Sequence, residues 1–119
     1  MLENFREKME NTTLFLDIIA KKSPAKIIFE DDQVIAFFDK FPVSPGHFLV
    51  VPKKYSRNLF HISDEDLTYL IKIARKLALE QVKQLGATGF RLQVNNEKDA
   101  KQTIFHTHIH IIPFYKKEE

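Results

Sequence analysis

Ile104-Phe105-His106-Thr107-His108-Ile109-His110-Ile111-Ile112-Pro113 sets three histidines at alternate positions in an uncharged, mostly apolar stretch. Residues i, i+2 and i+4 of a strand point to one face, so a strand over residues 104–112 predicts a row of His106, His108 and His110 spaced about 7 Å apart. The opposite face, Phe105, Thr107, Ile109 and Ile111, is apolar enough to pack under a helix. Three readings fit the row. The histidines are half-exposed sheet residues without a chemical task. Or they ligate a metal, as neutral imidazole does, although nothing in the sequence singles out the remaining ligands. Or they work on a phosphate, one neutral ring attacking phosphorus while its neighbours stabilise the oxygens. An unperturbed pKa of about 6.5 gives histidine both protonation states near neutrality, as that division of labour requires.

Working outward, residues 89–95 alternate Phe90, Leu92 and Val94 with Arg91 and Gln93 and read as a strand with one wet face. A long helix precedes it. Ser63 is the N-cap, Asp64, Glu65 and Asp66 face the positive end of the helix dipole, and Gly86 supplies the left-handed stop. Its apolar positions are Leu67, Leu70, Ile71, Ala74, Leu77, Ala78, Val82 and Leu85. Residues 26–30 and 33–39 form a hairpin around Asp31-Asp32, and residues 47–51 a third strand stopped by Pro52 after the rigid loop 41–46. Leu14, Phe15, Ile18 and Ile19 have helical spacing, with Asn11, Thr12 or Thr13 as cap and Ser23-Pro24 as terminator. The predicted fold is α+β: a five-stranded, largely antiparallel sheet with one short and one long helix.

The 119 residues are 44% hydrophobic and 12% aromatic, with eleven Phe and no Trp, which suits one domain with one core. Residues 1–12 are expected to be a poorly ordered extension, 13–115 the domain and 116–119 a charged end. Eighteen basic residues against sixteen acidic ones, interspersed, give no global field for nucleic acid or lipid, so an anion needs a local site. The absence of cysteine excludes disulfides, thiolate nucleophiles and sulfur-ligated zinc. Three glycines, at 46, 86 and 89, cannot build a glycine-rich phosphate loop. The N-terminal MLENFREKME lacks the apolar run of a secretory signal or membrane span, so a cytoplasmic protein is expected.

His-Thr-His-Ile-His-Ile-Ile at 106–112 resembles the defining motif of the histidine-triad (HIT) nucleotide hydrolases and transferases. Ser23 to Asp32, Ala36 to Asp39, Pro42 to Lys54 and Asn95 to Pro113 resemble that family in order and spacing, its small nucleotide-binding branch most closely. The resemblance implies a purine-nucleotide site acting at the α-phosphate without metal or other cofactor, in a cytosolic homodimer joined through the long helix and the 89–95 strand. His108 takes the position of the nucleophile that forms a nucleotidyl-histidine. His110 matches the residue bonding a non-bridging phosphate oxygen, and His106 with His47 would fix ring orientation and protonation. Gln102 and Thr103 match the pair contacting phosphate and leaving group, Asn95 a phosphate-binding asparagine, and Asp39 the carboxylate gripping the ribose hydroxyls. Phe15, Ile18 and Phe37 match the apolar walls of the base pocket, with Leu14 and Lys40 at its edge.

Each assignment has a plainer counterpart. On sequence alone Phe15, Ile18 and Phe37 read first as core, Asp39 also as a strand-end turn residue, His47 as a structural histidine, and Lys53 and Lys54 as a solvated face. The resemblance also breaks in two places. Thr13 and Leu16 stand where many relatives have Cys-x-x-Cys, and Tyr55 where a histidine is frequent, so that structural zinc clip is lost. Glu97 and Lys101 stand where the loop before the histidines usually has glycine. A non-catalytic nucleotide sensor using the same pocket is the alternative function.

Overall fold

The structure, a computed structural model, describes residues 11–117. Most of the expected N-terminal extension, and residues 118–119 of the charged end, lie outside the described residues. The elements run α1 (Leu14–Ile19), β1 (Ile27–Glu30), β2 (Val34–Phe38), β3 (Phe48–Pro52), α2 (Asp64–Leu85), β4 (Gly89–Gln93), a 3-10 turn (Lys98–Ala100) and β5 (Ile109–Phe114). The sheet order is β1-β2-β3-β5-β4, and every neighbouring pair is antiparallel. Strands β1 to β3 form the expected meander. The chain then crosses through α2 to the far edge and returns as β5 between β3 and β4.

Strands β2 and β3 have apolar residues at nearly every position because both faces of the sheet are covered. Val34, Ala36, Phe48, Val50, Ile109 and Ile111 meet Leu70, Ile73, Ala74, Leu77 and Ala78 of α2. On the other face Ile35, Phe37, Leu49 and Val51 meet Phe15 and Ile18 of α1. Helix α2 is capped as predicted: the Asp66 N–H donates to Ser63 Oγ at 3.1 Å, and Gly86 has φ 71°. Its buried stripe lies slightly round from the predicted one. Ile73 is inside, whereas Ile71, 100° round the helix from Leu70, is 39% exposed. Leu70→Ala, at a fully buried position, should cost about 2–5 kcal/mol, read as a lower midpoint in urea unfolding.

Helix α1 ends before Ser23-Pro24, at a left-handed turn with Lys21 at φ 62°. Its N-terminal cap comes from Asn11, whose Oδ1 accepts the Leu14 N–H at 3.4 Å; the Thr13 hydroxyl does not cap. At the opposite end of the sheet Gly46 has φ 86°, and a Cβ there would collide with Leu85. This positive-φ turn starts β3 with His47 directed inward. No helix among the described residues is long and apolar enough to cross a membrane.

Candidate active site

The strand predicted over residues 104–112 is corrected. Strand β5 begins only at Ile109, so of the three histidines His110 alone lies on a ladder. The cause is Pro52, the last residue of β3, which has no N–H to offer a neighbour. Its carbonyl instead accepts from His106 Nε2 at 2.7 Å. The stretch 104–108 is held by other bonds: the Phe105 N–H donates to Asn11 O at 2.6 Å and the Thr107 N–H to Ser56 O at 2.8 Å. Freed from a regular pleat, the His108 and His110 rings stand 4.9 Å apart, closer than a strand repeat. The row is not wet either. His106 is fully buried and His108 6% exposed, both edge-on to Phe15 of α1, at 5.9 and 4.9 Å between ring centroids.

Backbone groups fix the tautomers, because a carbonyl only accepts and an N–H only donates. His108 Nδ1 lies 2.7 Å from His106 O, so it carries the proton and Nε2 keeps the lone pair. His106 donates from Nε2, which leaves its buried Nδ1 without a hydrogen-bond partner. His47 is the opposite case: the Val43 N–H donates to Nδ1 at 3.0 Å, placing the ring proton on Nε2, 3.0 Å from His110 Nδ1. His110 therefore accepts at Nδ1 and holds its own proton on Nε2. Burial pushes all four rings below the ordinary histidine value, His108 to about 4, so they are neutral at pH 7.

Asp39, at the end of β2, brings Oδ2 to 3.4 Å from His47 Nε2 and 4.0 Å from His110 Nδ1. Three potential ligand atoms thus lie close together, at separations compatible with metal–ligand bonds of about 2.1 Å. The protonation argues against an ion. His47 Nε2 carries a proton fixed by the Val43 amide, and His110 Nδ1 receives it. The cluster is a hydrogen-bond relay, with Asp39 partly spent on accepting the Phe41 N–H at 2.9 Å.

The other predicted residues divide. Phe15, Ile18 and Phe37 are 1–6% exposed and pack as core, and Phe15 also lies edge-on to the His108 ring. Leu14 flanks the same cluster. Asn95, two residues beyond Gln93, which pairs with His110, lies at the mouth of the loop, and Thr103 is exposed on it. Lys40 is exposed, with its ammonium over the Phe41 ring. Gln102 calls for a correction. It is 3% exposed, its amide hydrogens go to Arg57 O and Ile104 O, and its oxygen accepts from Glu97 N and Asn58 Nδ2. Nothing of that amide is left for a phosphate. The sequence reading missed the segment 55–58: Tyr55 lies edge-on to His106, and Ser56 Oγ is 2.6 Å from Thr107 Oγ1. Only Glu97, in a glycine's place, hinted at its partners there.

A family model of the HIT domain matches residues 20–117. The chain belongs to the HIT family. A 13.1 kDa HIT-like protein of Mesomycoplasma hyorhinis is 67% identical over 87% of this chain and 94% of its own length. A hypothetical histidine triad nucleotide-binding protein of Sulfolobus tokodaii superposes with a TM-score of 0.85 at 36% identity, covering 87% of this chain and 70% of that one. A HIT family hydrolase of Clostridium thermocellum gives 0.77 at 34% identity, covering 94% and 97%. Within the HIT fold the two loop departures keep the backbone that glycine would take: Glu97 has φ 79° and Lys101 φ 71°. Thr13 and Leu16 lie at the start of α1, and Tyr55 packs on His106.

Proposed function

We propose that this HIT protein cleaves purine nucleotides at the α-phosphate, hydrolysing a P–N or P–O–P bond or passing the nucleotidyl group on, through a nucleotidyl-histidine at His108. The observation that carries this reading is the Nδ1–H of His108 anchored on His106 O, which aims a neutral Nε2 lone pair outward from a ring that stays unprotonated to about pH 4. Nε2 attacks phosphorus, the bond to the leaving group breaks, and that group departs with the bonding pair and takes a proton from solvent. Water then attacks the phosphorus of the phosphorylated imidazole, releasing a nucleoside monophosphate and restoring His108. His110, its Nδ1 filled by His47, offers Nε2–H to a non-bridging oxygen as negative charge grows. His106 contributes its carbonyl. Asp39 has Oδ2 for the ribose hydroxyls, Asn95 and Thr103 border the phosphate, and Phe15, Ile18, Phe37 and Leu14 form the floor beneath the base. Gln102 shapes the loop.

The reading includes a homodimer. Strand β4 has only β5 beside it, and Leu92 on this edge strand and Leu79 on α2 are 39% and 57% exposed. The test is incubation with an adenosine phosphoramidate and with a dinucleoside polyphosphate. A covalent nucleotidyl-protein by mass spectrometry is expected from at least one. Tight binding with no turnover of either would make the protein a nucleotide sensor instead.

Lys101 is exposed in its left-handed position, and we assign its charge to holding the phosphate. Lys101→Gly removes the left-handed penalty and the charge together. Nucleotide affinity should fall severalfold while the melting temperature rises; unchanged or tighter binding would refute the assignment.

A further inference from the structure

Glu97 occupies φ 79°, ψ 162°, a region that essentially only glycine visits without strain. Such a conformation persists where the surroundings over-determine it, and here three residues, Arg57, Asn58 and Gln102, grip it. Arg57 donates Nε to Oε2 at 2.8 Å and Nη2 to Oε1 at 2.9 Å, and Asn58 Nδ2 donates to Oε2 at 2.6 Å. The Glu97 N–H donates to Gln102 Oε1 at 2.8 Å, and its carbonyl accepts the Gln102 N–H at 3.1 Å. Asn58, fully buried, spans the clamp by also donating to Gln102 Oε1 at 3.0 Å.

The partners of Glu97 adjoin the residues that hold the histidine stretch. Ser56, next to Arg57, accepts the N–H of Thr107, the residue between His106 and His108. The Arg57 guanidinium stacks over Phe105 at 4.4 Å. The segment 56–58 is thus braced by Glu97 on one side and carries residues 105–107 on the other.

We propose that Glu97 is a positioning residue: its carboxylate, clamped by Arg57 and Asn58, holds the loop 95–102 in a glycine-like backbone, and the loop so held, through Gln102 on Arg57 O and Asn58 Nδ2, seats the segment 56–58 that places His106 and His108. The activity arm of the test rests on the hydrolase reading above. Glu97→Ala keeps the backbone demand and removes the clamp, whereas Glu97→Gly removes both. Glu97→Ala should lower kcat about tenfold or more with KM changed less than threefold, speed amide exchange over residues 98–107, and shift the ring-nitrogen NMR signals of His106 and His108. Glu97→Gly should recover at least half of the wild-type kcat and restore those signals.

Two results would overturn the proposal: Glu97→Ala matching wild type in kcat, exchange and ring signals, or Glu97→Gly as impaired as Glu97→Ala. Should Glu97→Ala fail to fold, Arg57→Gln is compared in the wild-type and Glu97→Gly backgrounds. A large effect in the first and a small one in the second is expected; equal effects refute the clamp. If the wild-type protein turns over no nucleotide, the hydrolase reading fails, while exchange and ring signals still decide the role of Glu97.

Discussion

His108→Ala should reduce hydrolysis of an adenosine phosphoramidate to background, a loss of about 10⁴-fold or more, while nucleotide affinity changes by only a fewfold. No neighbouring group can replace the lost lone pair. His106 donates from Nε2 to Pro52 O and its Nδ1 is sealed in the interior; His47 and His110 are wired to each other, and His110 keeps a proton on its outer nitrogen. Of the four rings, only His108 combines a backbone-fixed Nδ1–H with a ring nitrogen that no protein atom bonds. His110→Ala removes a donor to the transition state and leaves the nucleophile, so its loss should be smaller, about 10²–10³-fold. The measurement is single-turnover formation of the nucleotidyl-protein, with binding by calorimetry as the control. Residual His108→Ala activity within a hundredfold of wild type, with a nucleotidyl adduct on another residue, would sink the assignment.

Which parts of this arrangement were legible in the sequence follows from their range. Ser63 and Gly86 act on their own backbone, so the ends of α2 were readable to the residue. Unbroken β-branched and aromatic runs between turns marked β2 and β3, but they could not show that the second sheet face is covered by Phe15 and Ile18, because the covering helix is remote in sequence. The histidine strand was over-extended for a related reason. Its sequence alternates throughout residues 104–112, whereas the ladder depends on Pro52, which is remote in sequence. The site divides the same way. The resemblance to the triad motif singled out His108, but its tautomer rests on a carbonyl, and that of His110 on the Val43 amide acting through His47; main-chain groups leave no mark in a motif. Gln102 looked like a ligand because its type matched, and only the tertiary partners of its amide show it spent on the loop.

Acid should destabilise the protein well before its carboxylates protonate. Burial holds His47, His106, His108 and His110 below the unfolded value of about 6.5, so in this region the unfolded chain binds more protons than the folded one. The stability these neutral rings provide is complete above pH 6.5 and is lost as pH falls toward their folded values. For His108, with a folded value of about 4, the loss between pH 7 and 4.5 is about 2–3 kcal/mol, at about 1.4 kcal/mol per unit of displacement. The other three add in the same direction, and a proton on His106 Nδ1 would have no acceptor among the described residues. Glu97 lies lower, at about 2 beside Arg57 and Asn58, so its contribution fades mainly below this window. Urea unfolding at pH 7 and 4.5 should show the drop, and His108→Gln should reduce it by about 2–3 kcal/mol because that ring no longer titrates. A wild-type midpoint equal at the two pH values would mean that the buried rings take up protons in the folded protein over the same range as in the unfolded chain. The His108 lone pair on which the proposed reaction depends would then be lost near pH 6.5 rather than near pH 4, so the stability measurement bears on the pH range of that reaction.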